Sequence, residues 1–363
     1  MQKMPAVVVV VLFSVALCLA QDSRTDRRFS IVVLPDTQHY VDGEGPAAAL
    51  DAQFDWIIAN QRSLGIEFVT HLGDLVEAAG SEIEWKIMRA AFNRLDVAGI
   101  PYGVLPGNHD QPYSSKSFYT KYFGENAGRA FAVPNFSEYP WWGGSYKYGN
   151  GPVANVANFQ QLVINGQPFL ILHLGWMSNF EEMQAETTLN EESGDSTYVL
   201  RAKGQLRWAD EVLKAHPDHR AIVVTHAFLS VLDGQPVRRI QGHPLLSTEF
   251  IWDKLIVPNP NVFLVLNGHE LGRQAEIHRS DRIGNRVVHQ MLSNYQSRSR
   301  GGDGWLRILE FSLGTNTLSV RTYSPFLNAE ESDANSAFTL DLGGAFTKTV
   351  SGPAAPVNLR IVR

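Results

Sequence analysis

Between residues 29 and 110, three short apolar runs alternate with two stretches of helical periodicity, and this order restricts the fold more than any other feature of the chain. Phe29–Leu34, Phe68–Leu72 and Pro101–Leu105 read as buried strands. Residues 50–64 set Phe54, Trp56, Ile57, Ile58 and Leu64 on one broad face, and Glu82–Ala98 turns Trp85, Met88, Phe92 and Leu95 inward. Strand–helix–strand–helix–strand is the order of βαβ units and predicts a parallel or mixed sheet with helices against it. Downstream, Val156–Ile164 and Pro168–Leu174 read as a hairpin turning at Asn165-Gly166. Gln205–Ala215 reads as a helix, and Ala221–Thr225 and Asn261–Leu266 as strands. Arg286–Leu292, Leu306–Phe311 and Thr317–Tyr323 suggest antiparallel β-structure. Residues 111–152 are rich in aromatics and glycine with weak periodicity and read as a long structured loop.

A hydrophobic fraction of 44% over 363 residues is enough for a large core. The net charge of −6 argues against a general binder of nucleic acid or anionic membranes. Residues 1–20 read as an export signal, with Lys3, the apolar stretch Ala6–Leu19 and the small residues Cys18 and Ala20; an uncleaved anchor is the alternative. The expectation is a secreted or exported protein. Beyond this segment no apolar run reaches about 18 residues. Cys18 is the only cysteine, which excludes thiol nucleophiles, cysteine–zinc sites and a disulfide scaffold from the rest of the chain. Asn135-Phe136-Ser137 is a glycosylation sequon, and no Gly-x-Ser-x-Gly marks a serine hydrolase.

The chemistry sits where the apolar runs stop. Asp36 and Gln38 follow the first, Asp74 the second, and Asn108, His109 and Asp110 the third; His226 and His269 follow two later strands. Sites in open α/β sheets form at the carboxyl ends of strands, so these residues should converge. Asp, Asn and His without Cys suit a divalent ion such as Mn²⁺, Fe²⁺ or Zn²⁺. Taken singly, Asp36 and Asp74 could equally be helix N-caps.

Asp36-Thr37-Gln38, Gly73-Asp74, Gly107-Asn108-His109-Asp110, Thr225-His226 and Gly268-His269 resemble, in order and placement, the motifs of the calcineurin-like metallophosphoesterase superfamily. The resemblance spans residues 30 to 271 and extends more loosely to Asn294-Tyr295-Gln296 and Gly301–Trp305. It implies a four-layer α/β/β/α sandwich with two mixed sheets, covering about 29–325, with an extension at 326–363. It implies two divalent ions: Asp36 on the first, Asp74 bridging, and Asn108, His226 and His269 on the second. His109 would serve the leaving oxygen, oriented by Asp110. The implied reaction is hydrolysis of a phosphate mono- or diester, and the acidic balance favours a small ester or lipid headgroup over nucleic acid.

Two departures fall on the first metal. Gln38 stands where the family commonly has histidine and would be a weaker ligand. Leu271 stands where the second His of Gly-His-x-His is common and cannot coordinate. Glu270, His39 and Asn294 are the candidates to replace it. A degenerate, ligand-binding scaffold is therefore the second reading, and a metal-stabilised structural protein the third. His71 and His173, inside apolar strands, read as core histidines; His216, His219, His243, His278 and His289 read as surface or loop residues. The aromatics Phe118, Tyr119, Tyr122, Phe123, Trp141, Trp142 and Tyr146 either line a groove or order the loop, and Arg273, Arg298 and Arg300 are candidate phosphate contacts or exposed arginines.

Overall fold

Every residue of the first strand from Phe29 to Leu34 is buried, and the two faces of the strand pack into different cores. Val32 and Leu34 meet helices; Phe29, Ile31 and Val33 meet a second sheet. A strand covered on both faces belongs in the middle of a layered structure, which is where the computed structural model places it. The structure describes residues 27–111, 114, 116–147, 154–177, 185–189, 196–200, 204–238, 248–272 and 276–344. The expected export signal, His243, Arg273, most of residues 181–197 and the chain after 344 lie outside these.

In chain order the strands are β1 (Arg28–Leu34), β2 (Ile66–His71), β3 (Tyr102–Gly103), β4 (Trp142–Lys147), β5 (Ala154–Ile164) and β6 (Gln167–Leu174). They continue with β7 (Ala185–Leu189), β8 (Ser196–Leu200), β9 (Arg220–Thr225), β10 (Leu229–Leu232), β11 (Gln235–Arg238) and β12 (Val262–Asn267). The last are β13 (Glu276–Ile283), β14 (Arg286–Ser293), β15 (Leu306–Ser312), β16 (Thr317–Ser324), β17 (Ala329–Glu331) and β18 (Phe338–Asp341). One seven-stranded sheet runs β17-β16-β15-β1-β2-β3, with β18 also on β16; the other runs β13-β14-β12-β9-β6-β5-β4. Each is mixed. β1, β2 and β3 are parallel in the first, and β6, β9, β12 and β14 in the second. The segment after 325 thus adds β17 and β18 to the first sheet.

Helices α1 (Ala47–Asn60) and α2 (Glu82–Ala98) cover the outer face of the first sheet. Helix α2 ends at Gly99, whose φ of 68° closes the last turn with hydrogen bonds to Leu95 and Asp96. Its predicted inward residues Trp85, Met88, Phe92 and Leu95 are fully buried. Helix α1 begins earlier than its apolar pattern, because Ala47–Ala49 are strong helix formers that carry little hydrophobic signal. The helix Gln205–Ala215 and a helical turn at Glu249–Ile256 cover the second sheet. Between the sheets lies a third core, in which Phe29 stacks on Phe311 and meets Phe169 edge-on. Three cores between four layers give the α/β/β/α sandwich. Among the described residues no helix is long and apolar enough to cross a membrane.

Residues 111–152 hold more regular structure than their composition suggests. They contain α3 (Tyr119–Phe123), two 3₁₀ turns and β4, which pairs antiparallel with β5. Tyr119, Tyr122 and Phe123 pack around Trp85 of α2, and Trp141 and Trp142 pack on Phe136. These aromatics order the segment rather than line a groove. The hairpin turn has Asn165 and Gly166 at φ of 53° and 80°, the left-handed pair of a type I′ turn.

Candidate metal centre

All seven parallel strands stop at the same edge of the sandwich. After β1, β2 and β3 come Asp36, Asp74 and Asn108; after β9 and β12 come His226 and His269; after β6 and β14 come Trp176 and Asn294.

Four side-chain atoms meet at the centre. His226 Nε2 lies 3.1 Å from Asp74 Oδ2, 2.9 Å from Asn108 Oδ1 and 3.2 Å from His269 Nδ1. Asn108 Oδ1 is also 2.9 Å from His269 Nδ1. Ligand atoms around a four-coordinate ion at ~2.1 Å stand roughly 3.4 Å apart. The donor set has the chemistry and the spacing of a divalent cation site. Leu72 O accepts from His226 Nδ1 at 2.8 Å, which fixes the tautomer and leaves Nε2 for the centre. Burial alone would lower the His226 imidazole, but the Asp74 and Asp36 carboxylates hold it up at about 9. Burial raises the Asp36 carboxyl well above the usual range, with the Asp74 charge adding to it. Burial also works against the Asp74 carboxylate, but His226 and His109 outweigh it and hold the carboxyl low. In the metal-free protein the cluster keeps a proton where a cation fits.

Close backbone approach explains two glycines. A Cβ on Gly107 would lie 2.1 Å from Asp74 Oδ1, and one on Gly268 would lie 2.1 Å from Asp36 Oδ1. Asp74 and His269 themselves have φ of 52° and 70°, sparsely populated for non-glycine residues and held by their surroundings.

On the other side, Asp36 is buried and accepts from the His269 amide at 3.0 Å and from Asn294 Nδ2 at 3.1 Å. Gln38 is also buried; its Nε2 donates to Glu77 Oε2 at 3.1 Å and its Oε1 has no protein partner. A buried neutral oxygen with two lone pairs and no protein partner has the chemistry of a cation ligand.

The chain matches the family described as calcineurin-like phosphoesterase over residues 29–273. It belongs to that family. It is similar to YvnB, an uncharacterized protein of Bacillus subtilis (strain 168), with 32% identity over 305 residues, covering 82% of this chain and 20% of that protein. The chain thus spans about a fifth of the length of the curated relative it matches. Among solved structures it is similar to a dimetal phosphatase from Danio rerio, at 13% identity and a TM-score of 0.49, covering 86% of this chain and 99% of that one. It is also similar to a purple acid phosphatase from yellow lupin, at 13% identity and a TM-score of 0.44, covering 91% and 57%.

Within this calcineurin-like frame several expectations change. Asp110 does not orient His109. Its buried carboxylate accepts from the amides of Gly107, Leu75 and Val76 at 2.8, 3.1 and 3.1 Å and so ties the Asp74 loop to the Asn108 loop. Burial and the Asp74 charge push its carboxyl up to about 7 against those three donors. His109 Nδ1 instead lies 3.1 Å from both the carbonyl and the Oε2 of Glu77. Glu84 accepts from the Glu77 and Ala78 amides at 2.9 Å each, so two buried carboxylates hold the loop from Leu75 to Ala78. Leu271 is 61% exposed. Of its candidate replacements, Asn294 reaches Asp36, His39 turns to Asp42 at 2.7 Å, and Glu270 is buried.

Arg298 pairs with Glu276 and Glu331 and lies over Tyr295, which gives it a structural place, whereas Arg300 pairs with Asp303 with its side chain 53% exposed, as an exposed arginine. His71 is a satisfied core histidine between Thr37 Oγ1 and the Gly73 amide, and burial lowers it to about 3. His173 bonds Thr70 Oγ1 across the two sheets, with its Nδ1 buried and without a partner. His289, read as a surface residue, is buried between Ser280 and Asp341 O. Trp176, Glu77 and Glu84 were not singled out from the sequence. The Trp176 ring lies 4.9 Å from that of His269 and 5.6 Å from that of His226, and its amide donates to Pro106 O. Its place after β6 was the available signal, because β6 joins the same parallel set.

Proposed function

We propose that the chain is an exported metal-dependent hydrolase of phosphate mono- or diesters, acting on a small ester or a lipid headgroup. The observation that carries this reading is the convergence of Asp74, Asn108, His226 and His269 with His109 beside them, in a chain of the calcineurin-like phosphoesterase family. Asp74, Asn108, His226 and His269 would hold one divalent ion; Asp36, Gln38 and bridging Asp74 would hold the other. Bound ions supply polarisation of the phosphoryl oxygens and a water whose pKa falls toward ~7.

The protein's own part is positional and electrostatic. Both Glu77 atoms facing His109 Nδ1 accept, so Nδ1 carries a proton and Nε2 is left for the substrate. Protonated at Nε2, His109 donates to the departing alkoxide as the P–O bond to the alcohol breaks and that to water forms. Trp176 presents a half-buried aromatic wall beside the two histidines. The export reading rests on Lys3, Ala6–Leu19 and Ala20. N-terminal sequencing of the secreted product should start at Gln21.

The test is Mn²⁺-dependent release of p-nitrophenol from the mono- and bis-ester by residues 21–363, with Asn108→Ala beside it. Turnover that disappears in Asn108→Ala supports the reading, and the ester ratio sets the substrate class. Absence of turnover at saturating Mn²⁺ with both esters would favour the ligand-binding scaffold to which Leu271 points.

A further inference from the structure

Gln38 and His109 stand on different loops and reach one carboxylate oxygen. Gln38 Nε2 donates to Glu77 Oε2 at 3.1 Å, and His109 Nδ1 lies 3.1 Å from the same atom. An ionised carboxylate only accepts, so it dictates which end of the Gln38 amide faces it. The NH₂ must point to Glu77, and Oε1 is thereby left facing away, buried and without a protein partner. Glu77 is itself well placed to impose this order, because the Glu84 carboxylate accepts from its amide and from that of Ala78.

We propose that Glu77 is a positioning residue that couples the first-metal side to the proton donor. Through its Oε2, Glu77 keeps the Gln38 oxygen presented to a cation and, with its own carbonyl, holds His109 Nδ1. The side chain of Glu77 is 35% exposed, so removing the Gln38 donor frees its carboxylate to rotate toward water and loosens His109 as well. Gln38 therefore has two effects, one on the metal and one on the leaving group. The catalytic half rests on the phosphoesterase reading; the metal half does not.

The test is a cycle of wild type, Glu77→Gln, Gln38→Met and the double variant, with Mn²⁺ binding followed by calorimetry and Asn108→Ala used to assign the second ion. A glutamine at 77 can offer either amide end and no longer dictates the orientation of Gln38. Each single change should weaken the first ion about tenfold, the scale of residues that orient metal ligands. The double variant should bind no more weakly than Gln38→Met, and the second ion should be unmoved. Additive losses would mean that Glu77 acts on the cation directly, and an unchanged first ion in Glu77→Gln would overturn the orienting role.

The second arm compares p-nitrophenyl with phenyl phosphate at saturating Mn²⁺. The poorer phenol needs the proton, so both single variants should lose several-fold more on phenyl phosphate. Equal losses on the two esters would overturn the tie to His109. If the wild type turns over neither ester, the phosphoesterase reading and the tie to His109 fail together, while the binding cycle still decides the orienting role.

Discussion

The two halves of the centre are built from the same kind of strand end but to different standards. On the side of β9 and β12, His226 Nε2 has ligand atoms of Asp74, Asn108 and His269 at 2.9–3.2 Å, with its tautomer fixed by a backbone carbonyl. On the side of β1, Asp36 meets amide donors from His269 and Asn294, and Gln38 offers one neutral oxygen. The first arrangement holds a proton on His226 among close ligand atoms, and a cation would replace it. The second already satisfies part of its carboxylate with hydrogen bonds, which an ion must share or displace. The difference teaches that two metal sites that would share the Asp74 carboxylate need not have comparable affinity.

The strongest way to break the contrast is to remove one ligand from the better side. His226→Ala or Asn108→Ala should lower Mn²⁺-dependent hydrolysis on the order of a thousandfold, the range seen when one member of an electrostatic cradle is lost. Metal content after dialysis should fall in step. A variant that kept both ions would show that the four converging atoms are not the stronger site.

The glycines allow a matched comparison. Gly107→Ala drives a Cβ into Asp74, and Gly268→Ala drives one into Asp36, at the same 2.1 Å. Each clash should cost about 1–3 kcal/mol of stability, read as a lower melting temperature. Their metal effects should differ. Gly107→Ala disturbs Asp74, the carboxylate that would bridge, and should weaken both ions, whereas Gly268→Ala should weaken the first alone. Equal titration curves for the two variants would remove the asymmetry.

Much of this centre was legible because strand ends are readable. An apolar run that stops at Asp, Asn or His reports both an element and its exit point, and five such runs point to Asp36, Asp74, Asn108, His226 and His269, which the structure brings together. What stayed hidden has physical causes. β13 carries His278, Arg279, Asp281 and Arg282, the charged pattern of a protected edge strand, and so shows no apolar run. β4 contains Gly143 and Gly144, with Gly143 set against the Phe159 ring, so its pairing rests on a partner that local sequence does not reveal. A carboxylate next to a histidine in sequence suggests a pair, whereas the backbone turns Asp110 toward three amides. Glu77 reaches His109 from another loop, a proximity that no spacing encodes.

Proton linkage sharpens the contrast further. In the metal-free protein His226 is held at about 9, so below that pH an incoming ion must displace a proton. Affinity at the second site should therefore rise about tenfold per pH unit up to about 9 and then level off. The sign reverses for stability without metal. A histidine raised in the folded state stabilises fully below its unfolded value near ~6.5, and that contribution is lost as pH rises through about 9. Calorimetry of Mn²⁺ binding in buffers of different ionisation enthalpy would count the protons released. A flat profile between pH 6 and 9 would mean that the imidazole is already neutral.

The smallest effect should come from Leu271→His. The sequence alone predicts that restoring a histidine here strengthens the first ion. The position is 61% exposed, however, so the new imidazole starts in water and must be ordered against Asp36 before it can ligate. Asn294 already occupies one oxygen of that carboxylate at 3.1 Å. The expected gain is therefore a few-fold in first-ion affinity, with the second ion unchanged, and it should grow when Asn294→Ala frees the carboxylate. If Leu271→His is silent in both backgrounds, the weakness of the first side comes from how Asp36 is engaged and not from the missing histidine.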